Sequence, residues 1–246
     1  MSLRLLFKDE LTGFYRSKVM IFLWIGFPVM MALLHVLTPD SGDIPFSIMT
    51  AYLVSSLGGT IASVMLVVTI IGEKNAQVYD LFVIRPIRRR DLIISKFLAV
   101  YVCLVVAIFI AIVSGLVIDI FVNGLPAEII LENTLPPLAI ALSVLSVSSA
   151  IGILIGVVSP SILVGVILVI YGGNQVSVLP MLSEVMNISF PPIIPKTADL
   201  LGISSSGLVQ WFENIPENVR FALVIGSLLT AAMIGISVII FNRKEL

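Results

Sequence analysis

Six long stretches of this sequence contain no Asp, Glu, Lys or Arg, covering approximately residues 19 to 37, 46 to 71, 97 to 118, 136 to 158, 162 to 180 and 221 to 241. A charge at the centre of a membrane span costs about 2.5–3.5 kcal/mol on insertion scales and is kept mainly for a purpose. Its absence from these stretches argues against a proton relay, a voltage sensor or a charged-substrate site at the membrane midplane. Histidine and cysteine are equally scarce. The single histidine, His35, falls near the end of the first stretch, where a hydrogen-bonded interface residue is the expected role. The single cysteine, Cys103, lies in an apolar run, so no intrachain disulfide and no zinc set is possible. It is expected to be a small hydrophobe. No G-x-x-x-x-G-K-[ST] loop occurs, so phosphate binding by a P-loop is not expected of this chain. A nucleophilic hydroxyl needs a base to activate it, and Ser206 in an expected loop is far in sequence from His35. An enzyme is therefore not the first expectation; the rival would have to use the acids Asp119, Glu128, Glu132 and Glu184.

What the chain has in quantity is apolar surface. Hydrophobic residues make up 59% and charged residues 12% of it, with a mean hydropathy of +1.15. That balance lies well outside the range of soluble domains. Crossing a hydrocarbon core of roughly 30 Å takes about 20 apolar residues, and each of the six stretches meets that standard. The expectation is an all-α integral membrane protein of the cell membrane, a single multi-pass domain over 1-246 with six transmembrane helices. The fourth and fifth stretches are joined only by Ser159, Pro160 and Ser161, which predicts a tight antiparallel hairpin.

Charge distribution sets the orientation. With six spans both termini lie on one side. That side then holds Arg4, Lys8, Arg16, Lys18, Arg243, Lys244 and the cations of residues 72 to 96, leaving only Lys196 and Arg220 opposite. Cations accumulate on the cytoplasmic side, so both termini are expected there. Residues 1 to 18 place Leu3, Leu6, Phe7, Leu11 and Phe14 at helical spacing opposite the four cations, the pattern of an amphipathic helix in the cytoplasmic interface. No small-x-small cleavage site follows the first stretch, so the first span itself is expected to direct insertion. Externally, residues 119 to 135 are acidic and end at Pro136 and Pro137. The segment 181 to 220 alternates apolar patches with prolines and suggests short interfacial or re-entrant helices, serving either as a lid or as a structural cap. Trp211 fits an interface anchor.

Small residues recur every fourth position: Ser55, Gly59 and Ser63 in the second span, Ser148, Gly152 and Gly156 in the fourth, Ala231 and Gly235 in the sixth. Such rows let helices approach closely. They serve helix packing, a translocation path lined by Ser55, Thr60 and Ser63, or contact with a second copy.

The most charged segment is the loop from Gly72 to Lys96, with Lys74, Arg85, Arg88, Arg89, Arg90 and Lys96 beside Glu73, Asp80 and Asp91. Inside it Val78, Leu81 and Phe82 share one stripe of a short helix that Pro86 ends. An apolar stripe in water suits a partner with a groove; the alternative is a solvated loop that only fixes topology. Arg89, Arg90 and Lys96 suit positive-inside anchoring or anionic headgroups.

Glu73, Pro86 thirteen residues on, Arg89 and Lys96 resemble the cytoplasmic loop of ABC-2 type permeases, the membrane subunits of one class of ATP-binding-cassette exporters. The family pattern is Glu-Arg-Glu-x-Gly-Thr-x-x-x-Leu-Leu-x-x-Pro-x-x-Arg, and it fits without a gap. Gln77 and Val78 stand where the family has Gly-Thr, and Phe82 and Val83 where it has the leucine pair. The resemblance extends to the order of elements along essentially the whole chain. It implies that residues 73 to 84 form a coupling helix seated in a separate ATPase subunit, with Glu73, Gln77, Val78, Leu81, Phe82, Pro86 and Arg89 as contacts. It also implies a homodimer or a pair of related chains, ATP and Mg held by the ATPase and no cofactor in this chain, membrane lipid around it, and no nucleic acid. Function would be export driven by ATP; the rivals are an intramembrane enzyme and an ion-gradient-driven transporter or solute-binding module.

Overall fold

The computed structural model describes residues 3–16, 18–37, 46–76, 88–121, 127–176 and 217–243. Among them there are seven helices and no strand: α1 (Leu3–Arg16), α2 (Val19–Leu37), α3 (Phe46–Asn75), α4 (Arg89–Phe121), α5 (Ala127–Val158), α6 (Ile162–Val176) and α7 (Glu217–Arg243). Among the described residues four segments are long and apolar enough to cross a membrane: Ser56–Asn75, Arg90–Phe121, Pro137–Val158 and Val219–Arg243. The other two expected spans fall on α2 and α6. Val19–Met30 and Ile162–Gly172 are shorter apolar helices by the same measure, and the last residues expected of the fifth span lie outside the described residues.

Four helices overrun the boundaries read from hydropathy, α7 by only a few residues at each end and α3, α4 and α5 by more. α3 continues through Glu73 to Asn75, and α4 starts at Arg89 instead of Phe97. At 33 residues α4 is about 50 Å long, well beyond the hydrocarbon thickness. α5 begins at Ala127 and runs through Pro136 and Pro137, which were expected to mark its start. Most of the expected acidic segment 119 to 135 is therefore helical. Proline is tolerated inside membrane helices because neighbouring groups re-satisfy the freed carbonyls.

α3, α4 and α5 form the centre. α5 packs along α3 and α7, α6 lies against α3 and α5, and α1 and α2 both lie on α4. Lipid tails are as apolar as leucine, so between such helices close packing and hydrogen bonds replace the hydrophobic effect as the source of association. α2 shows both: Met20, Leu23 and Phe27 are buried in the main core, and the Trp24 indole N–H donates to the Cys103 carbonyl of α4 at 3.1 Å. Cys103 itself is fully buried. At the α5–α6 hairpin the Ser161 hydroxyl accepts from the Val164 N–H, capping the start of α6, and Gly165 lets α6 close onto Val67 and Ile71 of α3. Between α1 and α2 the chain turns at Lys18, whose φ of 60° is left-handed. Its N–H donates to the Tyr15 carbonyl, and its own carbonyl accepts from Phe22.

Candidate functional site

Lys96 is the largest fully buried side chain among the described residues. It stands in the second turn of α4 on the stripe that also carries Leu92, Ile93, Val100, Cys103 and Leu104, all buried. A lysine there is stable only if its ammonium is matched. Two carboxylates match it: Nζ donates to Glu10 Oε1 of α1 at 2.7 Å and to Glu73 Oε1 of α3 at 2.5 Å. The lysine side chain is 2% exposed and the glutamates 24% and 27%, so the charges meet at the edge of the core with the carboxylates still reaching water. One ammonium between two carboxylates leaves the cluster with one negative charge in excess. It binds three helices at one end of the molecule.

Placement matters as much as charge. Glu73 is in the last turn of α3 and Lys96 near the start of α4, so the cluster closes the base of the segment that leaves α3 and returns in α4. Glu73 was expected to open a separate coupling helix; it instead ends α3 and is engaged by Lys96. Lys96, expected among surface cations that serve positive-inside anchoring or meet lipid headgroups, is interior. The outer cations differ. Arg88 and Arg90 are exposed, and Arg90 pairs with the adjacent Asp91 at 3.5 Å, a contact worth little in water. Gln77, Val78, Leu81, Phe82 and Pro86 lie outside the described residues, and of Arg89 only the backbone, in the first turn of α4, is described.

The small-residue rows on α3 and α5 face each other. A methyl group on Gly152 would lie 2.6 Å from the Ser63 Cα, and one on Gly59 2.7 Å from the Ser148 Oγ. Gly156 sits against Val67 and Ile70 in the same way. The Ser63 hydroxyl has two carbonyls in reach, Gly59 of its own helix at 2.9 Å and Ser148 across the seam at 2.5 Å. Of the residues considered for a path, Gly59 and Ser63 are thus buried in a helix–helix seam. Thr60 is half-buried with its hydroxyl donating to the Ser56 carbonyl, and the Ser55 side chain lies outside the description. α7 uses a different set of contacts: the Ser143 hydroxyl donates to the Ala222 carbonyl at 2.5 Å, and Gly226 faces Ser143. The Ala231 and Gly235 row points away from the other helices.

The Ser148 hydroxyl is buried and has no hydrogen-bond partner among the described residues. Removing an unmatched hydroxyl removes a desolvation penalty. Ser148→Ala is expected to leave the thermal midpoint unchanged or to raise stability by about 1 kcal/mol, and a loss above that size would show that the hydroxyl has a partner.

Two further expectations meet the structure here. Asp119, read as an acid of an external segment, is fully buried in the last turn of α4. Glu128 and Glu132 are on α5 with side chains outside the description, as is all of Glu184 and the segment 181 to 216. Among the described residues no group of three or more His, Cys, Asp and Glu could hold a metal. Sequence reasoning named Lys96 but missed its burial and its two carboxylate partners, because it was counted with the loop cations; the signal was a lysine on the apolar stripe of its own helix. Comparison with known protein families and with curated proteins finds no match.

Proposed function

We propose that this chain is the transmembrane permease subunit of an ATP-driven exporter, with six spans, both termini in the cytoplasm and the passage formed with a second copy. A separate ATPase subunit grips the coupling segment, residues 73 to 84, through Leu81, Phe82 and their neighbours, and supplies ATP and Mg. The observation that carries this reading is the Lys96 cluster. It ties α1, α3 and α4 together where that segment leaves and rejoins the helices, so a push on the segment would be delivered to three helices as one body. The similarity of Glu73, Pro86, Arg89 and Lys96 in spacing to the ABC-2 type loop supports the same reading.

Co-purification tests it. A stoichiometric ATPase is expected with the native chain, and Leu81→Glu or Phe82→Glu is expected to lower its retention at least about tenfold while membrane insertion is unchanged, because a buried charge in a groove costs more than 1.4 kcal/mol. Full retention by both variants, or no ATPase with the native chain, would sink the proposal. The buried ion cluster also suits an ion-gradient-driven transporter, since ionisable groups inside membrane helices often mark ion pathways. Under that second reading transport collapses with an ionophore and ignores ATP depletion.

A further inference from the structure

We propose that the outward face of α1 is a docking strip for anionic phospholipid headgroups. The Glu10 contact with Lys96 and the packing of Leu6, Leu11 and Phe14 fix the rotation of α1 about its axis, placing those residues inward against α4. The opposite face then carries Arg4, Lys8 and Arg16, all exposed. Asp9 is the one exposed acid of the helix, and no ion pair among the described residues engages the three cations.

Two features favour a lipid surface over an acidic protein or a nucleic acid. Leu5 and Tyr15, 48% and 60% exposed, stand among the cations; an apolar and an amphipathic side chain amid basic ones is the composition of a helix lying at the headgroup boundary. The chain also passes through the left-handed Lys18 directly into α2, whose outer face begins with Phe22 and Ile25, 76% and 59% exposed. A face that apolar belongs in hydrocarbon, which sets α1 at the level where headgroups begin. The strip lies on the side of α1 opposite its Glu10 contact with Lys96, and it does not require an ATPase partner.

Lipid selectivity at the strip is measurable in the full chain. Thr12 lies on the same side of α1 as Lys8 and Leu5, so a fluorophore on Thr12→Cys reports from within the strip; Cys103 is fully buried and stays unlabelled. The labelled chain is placed in phosphatidylcholine bilayers containing equal mole fractions of brominated phosphatidylglycerol or brominated phosphatidylcholine, and quenching gives the relative affinity of the two lipids. At low salt the anionic lipid is expected to be preferred by roughly fivefold or more. The preference should fall to near one in Arg4→Gln/Lys8→Gln/Arg16→Gln and, for the unmodified strip, in about 1 M salt, where screening is complete within a few ångströms. A ratio near one at low salt overturns the proposal. So does a preference that survives both the triple substitution and salt, or an acidic protein held by these cations while the lipid ratio stays at one.

Discussion

Lys96→Met is expected to destabilise the chain by about 3–5 kcal/mol, because it leaves two carboxylates facing each other at a site made for one ammonium between them. The 2% exposure of the lysine and the lengths of 2.7 and 2.5 Å place this pair of contacts among buried ion pairs, for which removing one partner is costly. The arithmetic of charge makes the prediction asymmetric. Glu10→Gln or Glu73→Gln alone leaves the ammonium matched by one carboxylate and still hydrogen-bonded by the amide oxygen, so each should cost about 1–2 kcal/mol. Adding both glutamines to Lys96→Met removes every charge from the cluster and should recover most of the loss. Thermal unfolding in detergent across these variants checks the order. Equal losses for the lysine and glutamate substitutions, or no recovery in the triple variant, would show that the cluster does not hold α1, α3 and α4 together.

Gly152→Ala should give the second large effect. Its methyl would meet the Ser63 Cα at 2.6 Å and carbonyl oxygen at 2.7 Å, and backbone atoms cannot swing aside as a side chain can. α3 and α5 must separate locally, which weakens the short Ser63 to Ser148 bond across the seam; overpacking of this kind costs about 1–3 kcal/mol. Gly235→Ala is the matched control. Nothing lies within 4 Å of its added methyl, so only helix propensity acts, and a gain of up to about 1 kcal/mol is expected. If both substitutions behave alike in thermal unfolding, the α3–α5 seam is not a close contact. The pair also separates the three roles open to the small-residue rows. Gly59, Ser63, Ser148 and Gly152 lie where two helices of one chain meet.

The apolar stretches were legible because a membrane-length helix is a property of local composition: nothing but apolar side chains satisfies the hydrocarbon, and nothing but a helix satisfies its own backbone there. The amphipathic pattern of residues 3 to 16 was legible for the same reason. Helix ends were less so. Hydropathy stops where charges begin, yet a helix stops only where its hydrogen bonds do, so α3 and α4 carry Glu73 and Lys96 inside regular helix and α5 passes through Pro136 and Pro137.

By itself, then, the sequence determined that this is a helical chain of membrane character, which residues are apolar on which helix, and where the small residues recur. Only the tertiary structure decided what those faces meet. Periodicity gives the direction of a stripe but not its partner: the rows of α3 and α5 face each other while the row of α7 faces outward. The ammonium of Lys96 finds its carboxylates 86 and 23 residues away, a match that exists only once three helices are brought to one place.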